Sequence, residues 1–195
     1  MAAKTKQELK DVFNGLSSLL YSSAIADLSL ATLSITPEYD LPVTVDTLQI
    51  TQDDPTINHY KVIGLDGDWT SSATLGDMNI QFTVPTKAKD VLTLAYGADA
   101  VKEITKLSLS TGDSELDNAN GYEGVSIQLN KKKVTGTFVL VDEEKENLMV
   151  MTNVALWAKP LYENPGTEPF AIQFTGTMEG AGNQSMAWLK KKATA

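Results

Sequence analysis

The sequence predicts a mainly β protein: an antiparallel β-sandwich or barrel with one flanking α-helix and an N-terminal helical arm. Apolar and polar residues alternate in several short runs separated by polar turns, which is the pattern of half-buried strands. Only the segment after Pro85 changes to helical spacing. At 195 residues the chain has the length of one well-cored domain. We assign residues 1–36 to an arm or helix plus a first strand, and 37–195 to the β-sandwich.

The apolar pattern of residues 125–157 predicts three consecutive antiparallel strands with polar turns between them. We expect these strands to form the centre of the domain. The third, Leu148–Trp157, is apolar on both of its alternating faces. A strand buried on one face needs only one apolar row. We therefore expect the second row to be covered by another layer of this chain or by another copy, and we predict an oligomer interface at Met149, Met151 and Trp157.

The segments before this stretch read as strands and one helix. Lys4–Tyr21 has near-helical apolar spacing, which predicts an arm or an amphipathic helix. Predicted strands and loops then alternate: strand Leu28–Ile35, strand Val43–Ile50, strand Tyr60–Leu65, loop Asp66–Asp77 and strand Met78–Val84.

Helical spacing appears at Ala88–Ala95, where Thr86 is the expected N-cap and Gly97 the expected C-terminal residue. A second short helix is predicted within Ala98–Leu107, followed by a polar loop over Thr111–Glu123. The last predicted strand is Phe170–Phe174, and a Gly-rich tail follows it.

Composition excludes several classes of function. The chain has no cysteine, so disulfides and thiolate metal sites are absent. All 16 basic residues are lysine, and the net charge is −9. Because Arg is the usual bidentate ligand of phosphate and guanine, this composition disfavours tight nucleic-acid binding. No apolar run reaches membrane-spanning length. Val12–Ala26 is interrupted by polar residues and follows acidic ones, so we expect mature protein there.

Catalytic and metal-binding patterns are weak. His59 is the single histidine, and no serine lies in a GxSxG motif, so we expect a structural or surface role for His59. Asp66 and Asp68 form a possible carboxylate pair for a hydrolase, but in a Gly-containing loop they equally form turns. We predict no enzymatic activity, no metal and no cofactor.

Three further motifs have an ordinary structural interpretation. The acidic run 113–123 places Asn118 and Gly124 where a calcium loop requires Gly and Glu. The spacing of Gly176, Gly180 and Gly182 is not a dinucleotide fingerprint. Three aromatic residues could form a sugar platform, although scattered aromatics in β proteins more often belong to a core or an interface: Trp157, Tyr162 and Trp188.

The order of elements resembles that of the tail tube proteins of long-tailed bacteriophages, whose fold is similar to that of the type VI secretion tube protein. The resemblance covers roughly residues 43–180. It lies in the segments DMNIQFTVPTKAKDVLTLAYG (77–97), KKVTGTFVLVDE, MTNVALWAKPLYE and PFAIQFTGTMEG. It implies two packed antiparallel sheets with a flanking helix. The first forty residues depart from the compact family pattern.

The resemblance implies a structural protein of the virion, assembled in the host cytoplasm. Six copies would form a ring whose sheets join into one barrel, and stacked rings would conduct DNA without binding it specifically. Its partners would be further copies and other tail or neck proteins of the phage, with no membrane. The alternative from the residues is a β-sandwich binding module, such as a capsid decoration or receptor-binding protein, that uses the loop 111–123.

Overall fold

The computed structural model describes residues 12–44, 46–179 and 185–192. Within these ranges the chain is mainly β, with one α-helix, α1 (Lys89–Tyr96), and a 3₁₀ turn at Ala98–Ala100. The strands are β1 (Ser18–Ser22), β2 (Tyr39–Leu41), β3 (Gln49–Gln52), β4 (Thr56–Tyr60), β5 (Thr70–Thr74), β6 (Met78–Val84), β7 (Val101–Leu107), β8 (Tyr122–Ile127), β9 (Lys133–Val141), β10 (Asn147–Leu161), β11 (Ala171–Met178) and β12 (Met186–Lys190).

Eight strands form one antiparallel sheet in the order β2-β1-β9-β10-β11-β6-β3, with β12 pairing β10 beside this path. The central strand is β10: β9 pairs with one of its edges, and β12 and β11 share the other. The remaining strands form two hairpins, β4–β5 and β7–β8. The prediction of a mainly antiparallel β protein with one flanking helix is confirmed. A closed barrel is not formed by the described strands, since the sheet ends at β2 and β3.

A β-bulge in β10 decides which of its side chains face the core. Met151 pairs with Phe138, but the next registered pair is Val154 with Gly136, so Thr152 and Asn153 together oppose Thr137. Asn153 takes φ 53°, a left-handed conformation that asparagine tolerates better than most residues. The extra residue reverses the alternation. Met149 and Met151 therefore share a face with Val154 and Leu156, and the two rows predicted from strict alternation are wrong.

The core lies between this face of the sheet and a layer made by α1 and the β7–β8 hairpin. Phe82 stacks on Phe174 with ring centroids 5.1 Å apart and meets Phe138 edge-on at 5.9 Å. From α1, Val91 and Leu92 are among the helix residues buried in the same cluster. Apolar side chains three and four positions apart lie on one face of a helix, which explains why this segment packs as it does.

The predicted helix is confirmed at Lys89–Tyr96, and its caps differ in detail from expectation. Gly97 ends it with φ 98°, and its N–H donates to the Thr93 carbonyl at 2.9 Å. Ala88, not Thr86, occupies the N-cap position. The Thr86 hydroxyl instead accepts the Ala88 N–H at 3.0 Å, so it orders the turn before the helix.

The N-terminal part of the chain contributes a strand to the sheet and a strap across its other face. The predicted helix over Lys4–Tyr21 is wrong where it overlaps β1, which lies between β2 and β9; residues 1–11 are outside the described ranges. Beyond β1, Thr137 donates to the Ala24 carbonyl at 2.7 Å, and Thr152 donates to the Ala26 carbonyl at 2.7 Å. These bonds satisfy two buried hydroxyls and hold the strap on the sheet.

Two predicted strands are turns in the structure. Within Leu28–Ile35, the Asp27 carboxylate accepts the Ser29 N–H at 3.0 Å and its hydroxyl at 2.6 Å, which favours a turn over a strand. Tyr60–Leu65 is mostly the turn of the β4–β5 hairpin, whose second strand lies in the predicted loop Asp66–Asp77. Strong local turns override apolar alternation here.

The remaining boundary predictions are confirmed in part. Met78–Val84 is β6 as predicted, whereas β3 begins at Gln49, late in the predicted strand Val43–Ile50. The predicted helix within Ala98–Leu107 is a single 3₁₀ turn followed by β7, and β8 pairs with β7 and not with β9. The Gly-rich tail contains β12, which the alternation did not indicate.

Candidate functional site

The three residues predicted at an oligomer interface have different surroundings. Met149 and Met151 are 5% and 1% exposed and belong to the core of the single chain. Trp157 is 43% exposed on the opposite face of the sheet. The reason for expecting the methionines at an interface therefore no longer holds. Both edges of β10 are also occupied within one chain, so β10 is not the strand through which copies would pair.

The outer strands of the sheet are β2 and β3. In the β3–β6 ladder, the Asp53 N–H donates to the Asp77 carbonyl at 2.9 Å. Because donors alternate in direction along an antiparallel strand, the N–H of the preceding residue, Gln52, points away from β6. A sheet edge of this kind offers backbone donors and acceptors to another strand.

Part of the sheet face opposite the core carries ladders of amides and hydroxyls, while Val139 and Val150 on the same face are buried. We call it the polar face and define it by three cross-strand rows: Gln49–Gln81–Thr175–Trp157–Lys133, Thr51–Asn79–Thr177–Ala155–Thr135 and Thr83–Gln173–Lys159. None of these residues is acidic. Glu179 follows the end of β11, and its carboxylate pairs with Lys133 at 2.6 Å. The chain's excess of negative charge is therefore concentrated elsewhere.

The β4–β5 hairpin with its turn, residues 56–75, is exposed along its whole length, and we call it the projecting hairpin. It carries seven large apolar side chains that are at least 40% exposed: Ile57, Tyr60, Val62, Ile63, Leu65, Trp69 and Leu75. Isolated two-stranded hairpins are marginally stable in water. Exposed apolar side chains concentrated on one element are typical of interaction surfaces.

A groove of about 500 Å³ lies beside β12. Its apolar lining is Val12, Phe13, Leu148, Trp188 and Leu189, and Lys190 and Asn147 also border it. Trp188 meets Phe13 edge-on, with ring centroids 5.8 Å apart, yet remains 62% exposed. We call this the β12 groove. Sequence reasoning did not find it, because it depends on a strand in the Gly-rich tail.

His59 forms a hydrogen bond with Asp68 across the projecting hairpin, through Nδ1 and one carboxylate oxygen. Both side chains are substantially exposed, which agrees with the predicted surface role of His59. Asp68, one of the two carboxylates considered for a hydrolase, is therefore in contact with His59. The strand register places His59 opposite Ser71, so the contact with Asp68 depends on how the side chains reach across the turn and could not be read from the sequence.

Two acidic side chains order loops by accepting hydrogen bonds. In the loop 111–123, Asp117 accepts the N–H groups of Thr111 and Gly112 at 2.6 and 2.8 Å. The hydrogen bonds from Thr111 hold the pKa of the Asp117 carboxyl below its usual value. Among the described residues, no group of three or more His, Cys, Asp or Glu side chains could hold a metal ion.

Asp142 plays the same part in the turn between β9 and β10. Burial alone would raise the pKa of Asp142. Its pKa is nevertheless lowered, because the carboxylate accepts hydrogen bonds from the side chain and N–H of Asn147 and from the N–H groups of Glu146 and Lys145. The Asn147 side-chain amide donates to Asp142 at 2.6 Å. The carboxylate therefore favours the turn that joins the two longest neighbouring strands of the sheet.

The other candidate motifs do not form a common site. Trp157 lies on the polar face, Trp188 in the β12 groove, and Tyr162 packs near Phe170 with ring centroids 6.5 Å apart. At Gly176, an added Cβ would lie 1.9 Å from the Ala155 carbonyl oxygen, so glycine permits close strand packing. Gly180 and Gly182 lie outside the described residues.

Neither the protein-family models nor the curated proteins contain a match to this chain. No helix in the described part of the chain has the length and apolar character that crossing a membrane requires.

Proposed function

We propose that the protein is a non-enzymatic structural subunit that assembles into stacked rings, as in a phage tail tube that conducts DNA. The observation that carries this proposal is the open antiparallel sheet. One face is covered by α1 and the β7–β8 hairpin. The other is partly covered by the N-terminal strap and is polar over the three rows of the polar face. The sheet ends in short strands, β2 and β3. In this proposal β3 of one copy pairs with β2 of its neighbour. Ring closure would remove both edges from solvent.

The polar face suits the inner surface of such a ring. Its amides and hydroxyls give little net charge, and Lys133 is paired with Glu179. Strong binding to DNA requires many cationic contacts with phosphates, and this face offers Lys133 and Lys159 without arginine. DNA passing along this face would therefore be neither strongly attracted by cationic side chains nor strongly repelled by carboxylates. Six copies per ring is the number that the family resemblance implies.

A binding module remains the second candidate, and the projecting hairpin favours it. The seven exposed apolar side chains of this hairpin would also allow it to bind a different protein. The loop 111–123 supports this candidate less well, since Asp117 already accepts three hydrogen bonds within that loop. A stable monomer at high concentration would favour the binding module over the ring.

The experiment compares Gln52→Pro with Gln52→Ala. Proline removes the N–H that points away from β6, whereas alanine keeps it and loses the same side chain. We expect wild type and Gln52→Ala to form rings or tubes in negative-stain micrographs, and Gln52→Pro to remain folded but unassembled. Circular dichroism checks the fold. Assembly of Gln52→Pro at the wild-type level would exclude pairing through β3, and the absence of any ring in wild type would overturn the proposed function.

A further inference from the structure

We infer that Asn14 is a site of spontaneous deamidation, at which the side-chain amide becomes a carboxylate beside the turn between β9 and β10. The chain contains two Asn–Gly pairs, Asn14–Gly15 and Asn120–Gly121. In such a pair the backbone nitrogen of glycine is unshielded, because glycine has no side chain, and it can attack the side-chain carbonyl carbon of the preceding asparagine. The two pairs have different surroundings, so they should react at different rates.

The reaction requires only the chain itself and water. The Gly15 nitrogen loses its proton and bonds to the side-chain carbonyl carbon of Asn14, while the amide nitrogen of Asn14 takes up a proton and leaves as ammonia. Water then opens the resulting cyclic succinimide at either of its carbonyl carbons, and its proton returns to the ring nitrogen. Opening at one carbonyl carbon gives aspartate. Opening at the other gives isoaspartate, whose backbone passes through the former side chain and is longer by a methylene.

At the pair Asn120–Gly121 the attacking nitrogen is already engaged. The Gly121 N–H donates to the Asn118 carbonyl at 2.8 Å, and the Asn120 N–H donates to the Asn118 side-chain oxygen at 3.0 Å. The backbone of Gly121 also packs closely on Leu107, since an added Cβ would lie 2.8 Å from the Leu107 carbonyl oxygen. This turn must open before the Gly121 nitrogen can lose its proton and attack Asn120, which slows the reaction there.

Asn14 and Gly15 are less constrained. Both precede β1 and both are exposed. Within the described part of the chain, no hydrogen bond engages the Asn14 side chain or the Gly15 N–H. The Glu143 carboxylate lies close to Gly15 and opposes a negative charge on its nitrogen, but it is exposed, so water and salt screen this effect. The Gly15 nitrogen is therefore available for attack without the loss of a hydrogen bond.

The new carboxylate would arise among like charges. Asn14 lines a cleft of about 460 Å³ in which three other lining residues are acidic and one is basic: Asp142, Glu144, Glu146 and Lys190. Glu146 already pairs with Lys191 at 3.2 Å. An added negative charge is therefore repelled by its neighbours. Isoaspartate would also move the Asn14 carbonyl, which accepts the Glu143 N–H at 3.3 Å. Both changes weaken the attachment of the chain before β1 to the β9–β10 turn.

This inference requires neither self-association nor the proposed function. To test it, the full chain is incubated at mildly alkaline pH, and its peptides are mapped by mass spectrometry at intervals. Isoaspartate is measured separately by enzymatic methylation. We expect Asn14 to convert at least about tenfold faster than Asn120, because attack at Asn120 first requires the loss of hydrogen bonds to Asn118. In urea the fold is lost, so the two pairs should convert at similar rates. Conversion of Asn14 no faster than Asn120 in the folded protein, or a difference that persists in urea, would overturn the inference.

A matched pair of variants tests the consequence of the reaction. Asn14→Asp carries the charge that deamidation creates, whereas Asn14→Gln stays neutral and keeps an amide. We expect a lower urea midpoint for Asn14→Asp than for Asn14→Gln, and a smaller difference at high salt, because salt screens repulsion between exposed charges. Equal midpoints at low salt would refute the proposed effect of the new charge on the β9–β10 turn.

Discussion

Replacing Met151 by glutamate tests whether this side chain belongs to the core of one chain. Met151 is 1% exposed, pairs with Phe138 and lies on the face that α1 and the β7–β8 hairpin cover. The loss of the buried methionine surface costs roughly 1.5–3 kcal/mol. A carboxyl group without a partner in that apolar site costs several kcal/mol more, even after its pKa rises and it becomes neutral. The sum reaches ~5 kcal/mol, the lower end of the stability of whole domains.

We therefore expect Met151→Glu to unfold, as measured by circular dichroism and urea denaturation. Met151→Leu conserves volume and should cost less than about 1.5 kcal/mol. Trp157→Glu, at an exposed position on the opposite face, should remain folded. If Met151→Glu instead keeps the wild-type urea midpoint and loses only assembly, Met151 lies between copies and the core assignment is wrong.

Three further outcomes are expected. Gly176→Ala should destabilise by about 1–3 kcal/mol in urea denaturation, because its Cβ would meet the Ala155 carbonyl, whereas Gly124→Ala, with open space around it, should be near neutral. Because the pKa of Asp142 is lowered on folding, its carboxylate stabilises the protein above the ordinary value of 3.8, and this contribution disappears as pH falls below it. Asp142→Asn should therefore lower the melting temperature at neutral pH and flatten its acid dependence. Calcium should change stability by less than about 0.5 kcal/mol in thermal melts, since the Asp117 carboxylate is already engaged by Thr111 and Gly112.

The elements found from the sequence are those in which local pattern and tertiary packing agree. In β6, Ile80, Phe82 and Val84 alternate toward the core, and in α1 the apolar spacing matches the buried face. Both segments are bounded by Pro or Gly, so their ends were also visible. Consistent local and global preferences make such segments predictable.

The interface prediction depended on a feature that alternation does not reveal. Strict period-two reading separates Met151 from Val154, yet the bulge at Thr152 and Asn153 places both on one face. The only sequence signal for this bulge is Asn153, because asparagine adopts positive φ more readily than most residues, and that preference is too weak to locate a bulge. The β12 groove was hidden for a related reason: it forms where β12 reaches β10 and Phe13 reaches Trp188, far apart in sequence.

Pairing of β2 with β3 would extend the sheet across its strands, because neighbouring strands add perpendicular to the chain direction. The projecting hairpin leaves the sheet where β3 ends at Gln52 and β6 begins at Met78. It therefore extends from a strand end and not from a sheet edge. Lateral closure through β2 and β3 would leave this hairpin outside the paired edges, so Gln52→Pro should abolish ring formation through the loss of edge pairing alone.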